Sequence, residues 1–76
     1  MPQTKRPANM VGPEIRRRRY KMRLTQEEFA AQCQLKGLDI SRATVSQIEA
    51  QLRRVSDYEL LLVASVLKTS TDSLFP

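Results

Sequence analysis

The group of side chains best suited to chemistry in this 76-residue chain lies on the outward side of one short predicted helix, residues 41–50. An arginine can pair bidentately with guanine, a glutamine can do so with adenine, and an alanine can touch the methyl group of thymine. Serine and threonine hydroxyls add further hydrogen bonds. The group consists of Arg42, Ala43, Thr44, Ser46 and Gln47. Its chemistry indicates recognition of a polar partner, and duplex DNA fits that description.

A helix that presents these side chains must be anchored by its opposite side. Val45 and Ile48 are three positions apart and point inward, and Ser41 is placed to cap the first turn. The major groove of DNA is about 12 Å wide and admits one helix. The N-terminal part of such a helix normally reaches the edges of the bases. Base contacts are therefore predicted at Arg42, Ala43 and Gln47.

Contacts to the DNA backbone would position this helix without carrying sequence information directly. They are predicted at Gln26, Thr44, Ser46, Arg53 and Arg54. A plainer interpretation stays open for Arg42 and Gln47, because polar surface residues are common and rarely need a function.

A second predicted helix precedes this one. Thr25 is a good N-cap and Glu28, three positions later, completes a capping box. The inward face consists of Phe29, Ala30 and Cys33, and Gly37 marks the end of the helix. Residues 34–40 then form a turn longer than a tight helix-turn-helix needs.

Three further helical segments complete an all-α prediction. A first helix follows Gly12–Pro13 and covers residues 14–22, because proline suits the first helical position. A fourth helix begins after Ser56, where Glu59 forms a second capping box. Its buried stripe consists of Leu60, Val63, Ala64 and Leu67, and Ser70 caps a last short turn ending in Leu74 and Phe75. We expect a compact five-helix domain over residues 14–76, preceded by a flexible basic tail, residues 1–13.

Charge is concentrated near the N-terminus. The chain carries a net charge of +5, and residues 1–24 contain eight cations and one anion. Such asymmetry favours nucleic acid or an anionic membrane surface as a partner, although a solubilising arm has the same composition. The longest apolar run, residues 60–64, is far shorter than the roughly 18 residues of a membrane span. We therefore expect no membrane partner and a cytoplasmic protein.

The composition argues against an enzyme. The chain has no histidine, the commonest general base, and its single cysteine excludes both a disulfide within the chain and a cysteine-based zinc site. A glycine-rich phosphate loop is also absent from the sequence. We expect no cofactor, no metal and no small-molecule ligand. Cys33 is interpreted as a small core residue.

The run Leu24-Thr-Gln-Glu-Glu-Phe-Ala30, followed by Ile40-Ser-Arg-Ala-Thr-Val-Ser-Gln-Ile-Glu49, resembles the phage-repressor-like (Xre/Cro type) helix-turn-helix family. Arg19, Leu60, Ala64, Leu67 and Leu74 extend the resemblance over about residues 14–75. It implies a repressor-like fold with the helix-turn-helix at helices two and three, and a structural ion pair between Arg19 and Glu49. Three features depart from the family pattern: the longer turn, Arg18 at a usually apolar position, and Ala50-Gln51 in place of a polar residue and glycine.

Two functions from different classes follow from these observations. The first is a sequence-specific double-stranded DNA-binding transcriptional regulator, a repressor that inserts the helix 41–50 into the major groove. The alternative is a protein-interaction module, antitoxin-like or adaptor-like, that uses an apolar patch on helix four. The same patch is a candidate homodimer surface, unless the tail or the turn covers it, and it consists of Leu61, Leu62, Val66 and Phe75.

Overall fold

The computed structural model describes residues 6–76, which form four α-helices and one short 3-10 turn. The elements are α1 (Gly12–Lys21), α2 (Gln26–Leu35), α3 (Arg42–Glu49), α4 (Asp57–Val66) and the 3-10 turn (Asp72–Leu74). The all-α prediction is confirmed over these residues, whereas the fifth helix is only a 3-10 turn. Each helix in this range is too short and too polar to cross a membrane.

Three of the helices begin at a side-chain N-cap, as predicted. Thr25 Oγ1 accepts a hydrogen bond from the Glu28 N–H at 3.0 Å, and the Glu28 carboxylate accepts one from the Thr25 N–H at 2.8 Å. Ser56 and Glu59 repeat this capping box at α4. The Ser41 hydroxyl accepts from the backbone of the third residue of α3. These caps satisfy helical N–H groups that have no partner within their own helix.

The four α-helices also end alike, in a Schellman motif that turns the chain through a residue with positive φ. At the end of α4, the Lys68 N–H donates to Ser65 O and the Thr69 N–H donates to Ala64 O. The residues with positive φ are Arg23 (59°), Gly37 (93°), Gln51 (62°) and Lys68 (57°). Only one of these is glycine, although a Cβ is disfavoured in this conformation.

The core lies where α2 packs against α3 and α4, and where α1 packs against α3. Phe29, Ala30 and Cys33 supply the inward face of α2, as the sequence indicated. Burial raises the pKa of the Cys33 thiol to about 11, so the thiol stays protonated near neutral pH. The other buried apolar side chains include Ile15, Val45, Ile48, Val63, Leu67 and Leu74.

The long turn between α2 and α3 belongs to this core. Its Leu38 and Ile40 side chains are buried. The Gln34 side chain, on the last turn of α2, donates to the Ile40 carbonyl at 2.8 Å. The extra residues of the turn therefore bury apolar surface and fix the approach to α3.

The N-terminal segment requires a correction. Residues 8–13 were predicted as part of a flexible tail, but the Ala8 N–H donates to Gln51 O at 3.0 Å and Val11 is buried. The first helix begins at Gly12, two residues earlier than predicted. Arg6 is exposed, and Lys5 lies outside the described residues. The ordered domain therefore includes residues before 14.

Asn9 joins this segment to the end of α3. Its side-chain amide donates to Ile48 O at 3.1 Å and to Arg53 O at 2.7 Å, while its side-chain oxygen accepts from the Gly12 N–H. A Cβ at Gly12 would collide with the Ile48 carbonyl oxygen, so glycine is needed for this close approach. The N-terminal segment thus supplies hydrogen bonds to the Ile48 carbonyl of α3 and to carbonyls in the loop that follows α3.

The Schellman geometry predicts that Lys68→Gly will be about 1 kcal/mol more stable than Lys68→Ala, because only glycine avoids the clash of a Cβ at positive φ. Urea denaturation followed by circular dichroism measures the difference. Gln32, exposed within α2, is the control. At this position the order of stability should reverse, and Gln32→Gly should be less stable than Gln32→Ala by a similar amount. Equal stability of the two Lys68 variants would contradict the argument.

Loss of the Asn9 side chain is expected to destabilise the fold by about 1–3 kcal/mol, because two carbonyls and one N–H lose their partner together. The adjacent Met10→Ala removes an exposed side chain and should change the free energy of unfolding by less than about 0.5 kcal/mol. Thermal melts of Asn9→Ala and Met10→Ala compare the two. A flexible segment at residues 8–13 would make both changes equally neutral.

Candidate nucleic-acid interface

The outward face of α3 is exposed and polar. Arg42, Ala43, Ser46 and Gln47 lie in contact with solvent, as predicted. Thr44 is half-buried, with its hydroxyl 3.3 Å from the Ser41 hydroxyl. On the opposite side, Val45 is 0% exposed and Ile48 is 3% exposed. The helix is therefore anchored on one side only, and its free side carries short hydrogen-bonding groups and one arginine.

A buried ion pair fixes α3 to α1. Arg19 Nε donates to Glu49 Oε2 at 2.6 Å, and Arg19 Nη2 donates to Glu49 Oε1 at 2.9 Å. The third nitrogen, Nη1, donates to Leu24 O at 2.8 Å. The hydrogen bond to Glu49 raises the pKa of the Arg19 guanidinium above its usual value. This is the pair implied by the resemblance, and both side chains are almost completely buried.

Gln26, at the start of α2, takes part in the same network. Its side-chain amide donates to Glu49 Oε1 at 3.1 Å, which uses one of its two amide N–H groups. The second N–H remains for the predicted phosphate contact at Gln26. This hydrogen-bond network links α1, α2 and α3 at one point, through Arg19, Gln26 and Glu49.

An open groove runs beside the outward face of α3. It is lined by Arg16, Tyr20, Arg23, Gln26, Arg42 and Ser46. Arg16 lies over the Tyr20 ring at 5.3 Å from its centroid and donates to its hydroxyl at 3.2 Å. The Arg16 hydrogen bond lowers the pKa of the Tyr20 phenol. The groove therefore places cationic groups of α1 next to α3.

Sequence reasoning missed this part of the site. Neither Tyr20 nor Arg16 is among the residues for which the sequence predicted a role. The spacing of four residues between Arg16 and Tyr20 could have signalled their contact on one helix face. Their position beside α3, however, depends on how α1 packs.

The other arginines of the run at 16–19 have different partners. Arg17 and Arg18 both contact Glu14, at 2.6 Å and 2.8 Å. The Arg17 hydrogen bond is the largest cause that lowers the pKa of Glu14 to about 2. Successive helical residues turn by about 100°, so four adjacent arginines reach different surroundings.

The two arginines predicted to contact phosphate after α3 also differ. Arg53 forms a bidentate contact with Glu59, at 3.2 Å and 2.9 Å, and donates to Arg54 O. The Arg53 hydrogen bond lowers the pKa of Glu59. Arg54 is exposed, and its side chain makes no ion pair among residues 6–76. Arg54 is therefore the freer of the two to contact an external anion.

The candidate dimer surface is smaller than predicted. Leu61 is 59% exposed and Phe75 is 47% exposed. Leu62 is half-buried and packs against the core. Val66 is a correction, since it is 6% exposed and belongs to the core. The predicted stripe of α4 left Val66 outside the buried face, because periodicity within one helix does not show which residues of other elements cover it.

The Arg53–Glu59 pair predicts a pH-dependent contribution to stability. Because the folded pKa of Glu59 is lowered, its contribution is present above the usual value near 4.5 and is lost as the pH falls through the folded value. Glu59→Gln keeps the cap and should reduce stability by up to about 1 kcal/mol at pH 7. The deficit should shrink toward pH 3 in thermal melts. Glu28→Gln, at the same capping position of α2, should have the smaller effect at pH 7. A constant deficit across this range would contradict the ion-pair account.

Comparisons with known proteins agree with this geometry. A Helix-turn-helix family model matches residues 15–74. No curated protein matches the chain. Among solved structures, the P22 c2 repressor protein, crystallised in complex with the synthetic operator 9T in the presence of Tl+, is similar with a TM-score of 0.74 and 25% sequence identity. The match covers 88% of this chain and 94% of that chain. Since the family model extends from α1 to the 3-10 turn, the chain belongs to the helix-turn-helix family.

Proposed function

We propose that the protein is a sequence-specific double-stranded DNA-binding transcriptional regulator that acts as a repressor. The observation that carries this proposal is α3, which is buried on one side and exposes a slim polar face on the other. A helix of this kind fits the major groove with its hydrogen-bonding side chains toward the base edges. The similar P22 c2 repressor was crystallised with a synthetic operator, which supports the same role here.

Base recognition is assigned to Arg42, Ala43 and Gln47. All three are exposed, and the side chains of Arg42 and Gln47 make no hydrogen bond within residues 6–76. Arg42 and Gln47 are long enough to form bidentate pairs with guanine and adenine, and Ala43 leaves room for a thymine methyl group. Their side chains are thus available for contacts that carry sequence information.

Backbone contacts are assigned chiefly to Ser46 and Arg54, which are exposed beside or after α3. Thr44, half-buried against Ser41, can contribute its hydroxyl. Gln26 and Arg53 can contribute the N–H groups that their bonds to Glu49 and Glu59 leave unused. These contacts would position α3 and supply the salt-dependent part of the affinity.

A homodimer would place two copies of α3 about 34 Å apart on successive turns of DNA. Within the predicted patch, Leu61 and Phe75 are the side chains that remain exposed for such an interface. The same residues would serve the alternative function, a protein-interaction module. Val66 is buried and Leu62 is half-buried, so little of this patch is exposed. The exposed polar face of α3 therefore supports DNA binding more strongly than the patch supports a protein-interaction function.

Selection of bound sequences from a random duplex pool tests the proposal and identifies the operator. Arg42→Ala should then weaken operator binding by about 1–3 kcal/mol and relax preference at one base position. Lys68→Ala removes an exposed cation that follows the C-cap of α4 and does not line the groove beside α3, so it is the matched control and is expected to bind normally. Fluorescence anisotropy measures both. A loss that is uniform over all sequences would make Arg42 a phosphate contact, and absence of any selected sequence would favour the interaction module.

A further inference from the structure

We propose that Arg16 and Tyr20 together form a preorganised site for one phosphate of the DNA backbone, beside α3. The proposal rests on the proposed function and extends it to two residues of α1. Their side chains meet in the groove that also contains Arg42 and Ser46 of α3. The ligand is a phosphodiester, an anion with two acceptor oxygens.

Two guanidinium groups lie over the aromatic ring of Tyr20. It is 56% exposed, with the Arg16 guanidinium carbon at 5.3 Å and the Arg19 guanidinium carbon at 4.6 Å from the ring centroid. Cation–π attraction of this kind restrains flexible arginine side chains. Because Arg16 is already held over the ring, less conformational entropy is lost when it binds an anion.

The hydrogen bonds of this pair leave donors for a ligand. The Tyr20 hydroxyl oxygen accepts from Arg16 Nη2 at 3.2 Å, so the phenolic hydrogen is available to donate. A guanidinium has five N–H donors, and this bond uses one of those on Arg16. A phosphate oxygen that approaches both groups therefore receives a hydrogen bond from the phenol and charge-assisted bonds from Arg16.

The position of the pair explains why the anion would be a DNA phosphate. A helix in the major groove has a sugar–phosphate strand on either side. Arg19, adjacent to Tyr20, is locked to Glu49 of α3, and this holds the C-terminal half of α1 next to α3. A strand that flanks α3 on this side must pass along the groove. Arg23 and Arg42 add positive charge along the same path.

The neighbouring arginines do not offer the same site. Arg17 and Arg18 both contact Glu14, whose carboxylate neutralises part of their charge. Arg16 makes no ion pair within residues 6–76. The contacts thus divide the four adjacent arginines into three groups: Arg19 in the buried ion pair, two arginines bound to Glu14, and Arg16, whose charge remains for an external anion.

Three variants of the full chain distinguish a specific phosphate site from general electrostatic attraction: Arg16→Gln, Tyr20→Phe and Arg17→Gln. The last is the control, because it makes the same charge change one residue away. Affinity for the selected operator is measured by anisotropy over a range of salt concentrations. Arg16→Gln should weaken binding about tenfold and flatten the log–log salt slope by about 0.9. Tyr20→Phe should weaken binding about threefold with an unchanged slope, because it removes a donor without a charge. Arg17→Gln should change neither.

A second measurement locates the anion. Single phosphates of the operator are replaced, one at a time, by uncharged methylphosphonates. At one position, the replacement should weaken binding of the wild type but produce no further loss in Arg16→Gln, which is the signature of a direct pair in a double-mutant cycle. Thermal melts check that the exposed substitutions leave folding intact.

The outcomes distinguish this proposal from the function on which it rests. If Arg16→Gln and Arg17→Gln have equal affinities and salt slopes while operator binding persists, the phosphate site is wrong and the regulator function stands. If no single methylphosphonate couples to Arg16, the site is likewise wrong. If the wild type binds no duplex at low salt, the proposed function itself fails.

Discussion

The buried ion pair between Arg19 and Glu49 is the constraint on which the rest of the site depends. Two charges with almost no exposure need full hydrogen bonding, because removal of one partner from a buried pair costs about 3–5 kcal/mol. Here the guanidinium is satisfied by both carboxylate oxygens and by Leu24 O, and the carboxylate also accepts from Gln26. These directional bonds leave little freedom for α3 to rotate, so its polar face stays outward.

The C-terminal end of α3 is held from a second direction. Asn9 donates to Ile48 O, and the absence of a side chain at Gly12 lets α1 begin directly against the same carbonyl. The exposed side chains of α3 lie within its first six residues, from Arg42 to Gln47. Rigid support at one end and open surface at the other suit a helix that must enter a groove without losing its orientation.

The starts of α2, α3 and α4 could be predicted from capping residues, whereas the turns that end α1, α3 and α4 carry no glycine signal. Capping residues such as Thr25 and Ser56 act on N–H groups three residues away, so a short pattern is sufficient. The usual signal for an end is glycine, and it is present only at Gly37. Gln51 and Lys68 adopt the same left-handed conformation because the chain must turn back onto the core, a requirement set by distant residues. The packing of residues 8–13 could not be predicted for the same reason, because their hydrogen-bond partners in and after α3 lie about 40 positions away in the sequence.

The sequence by itself determined the all-α class, the anchored face of α3 and its exposed group, Arg42, Ala43, Ser46 and Gln47, because helical periodicity separates inward from outward positions. Only the tertiary structure decided which of the many cations are free. It bound Arg53 to Glu59, buried Val66, and brought Arg16 and Tyr20 beside α3. The reason is physical: periodicity describes one helix at a time, while the partner of a charge and the burial of a side chain depend on which helices meet.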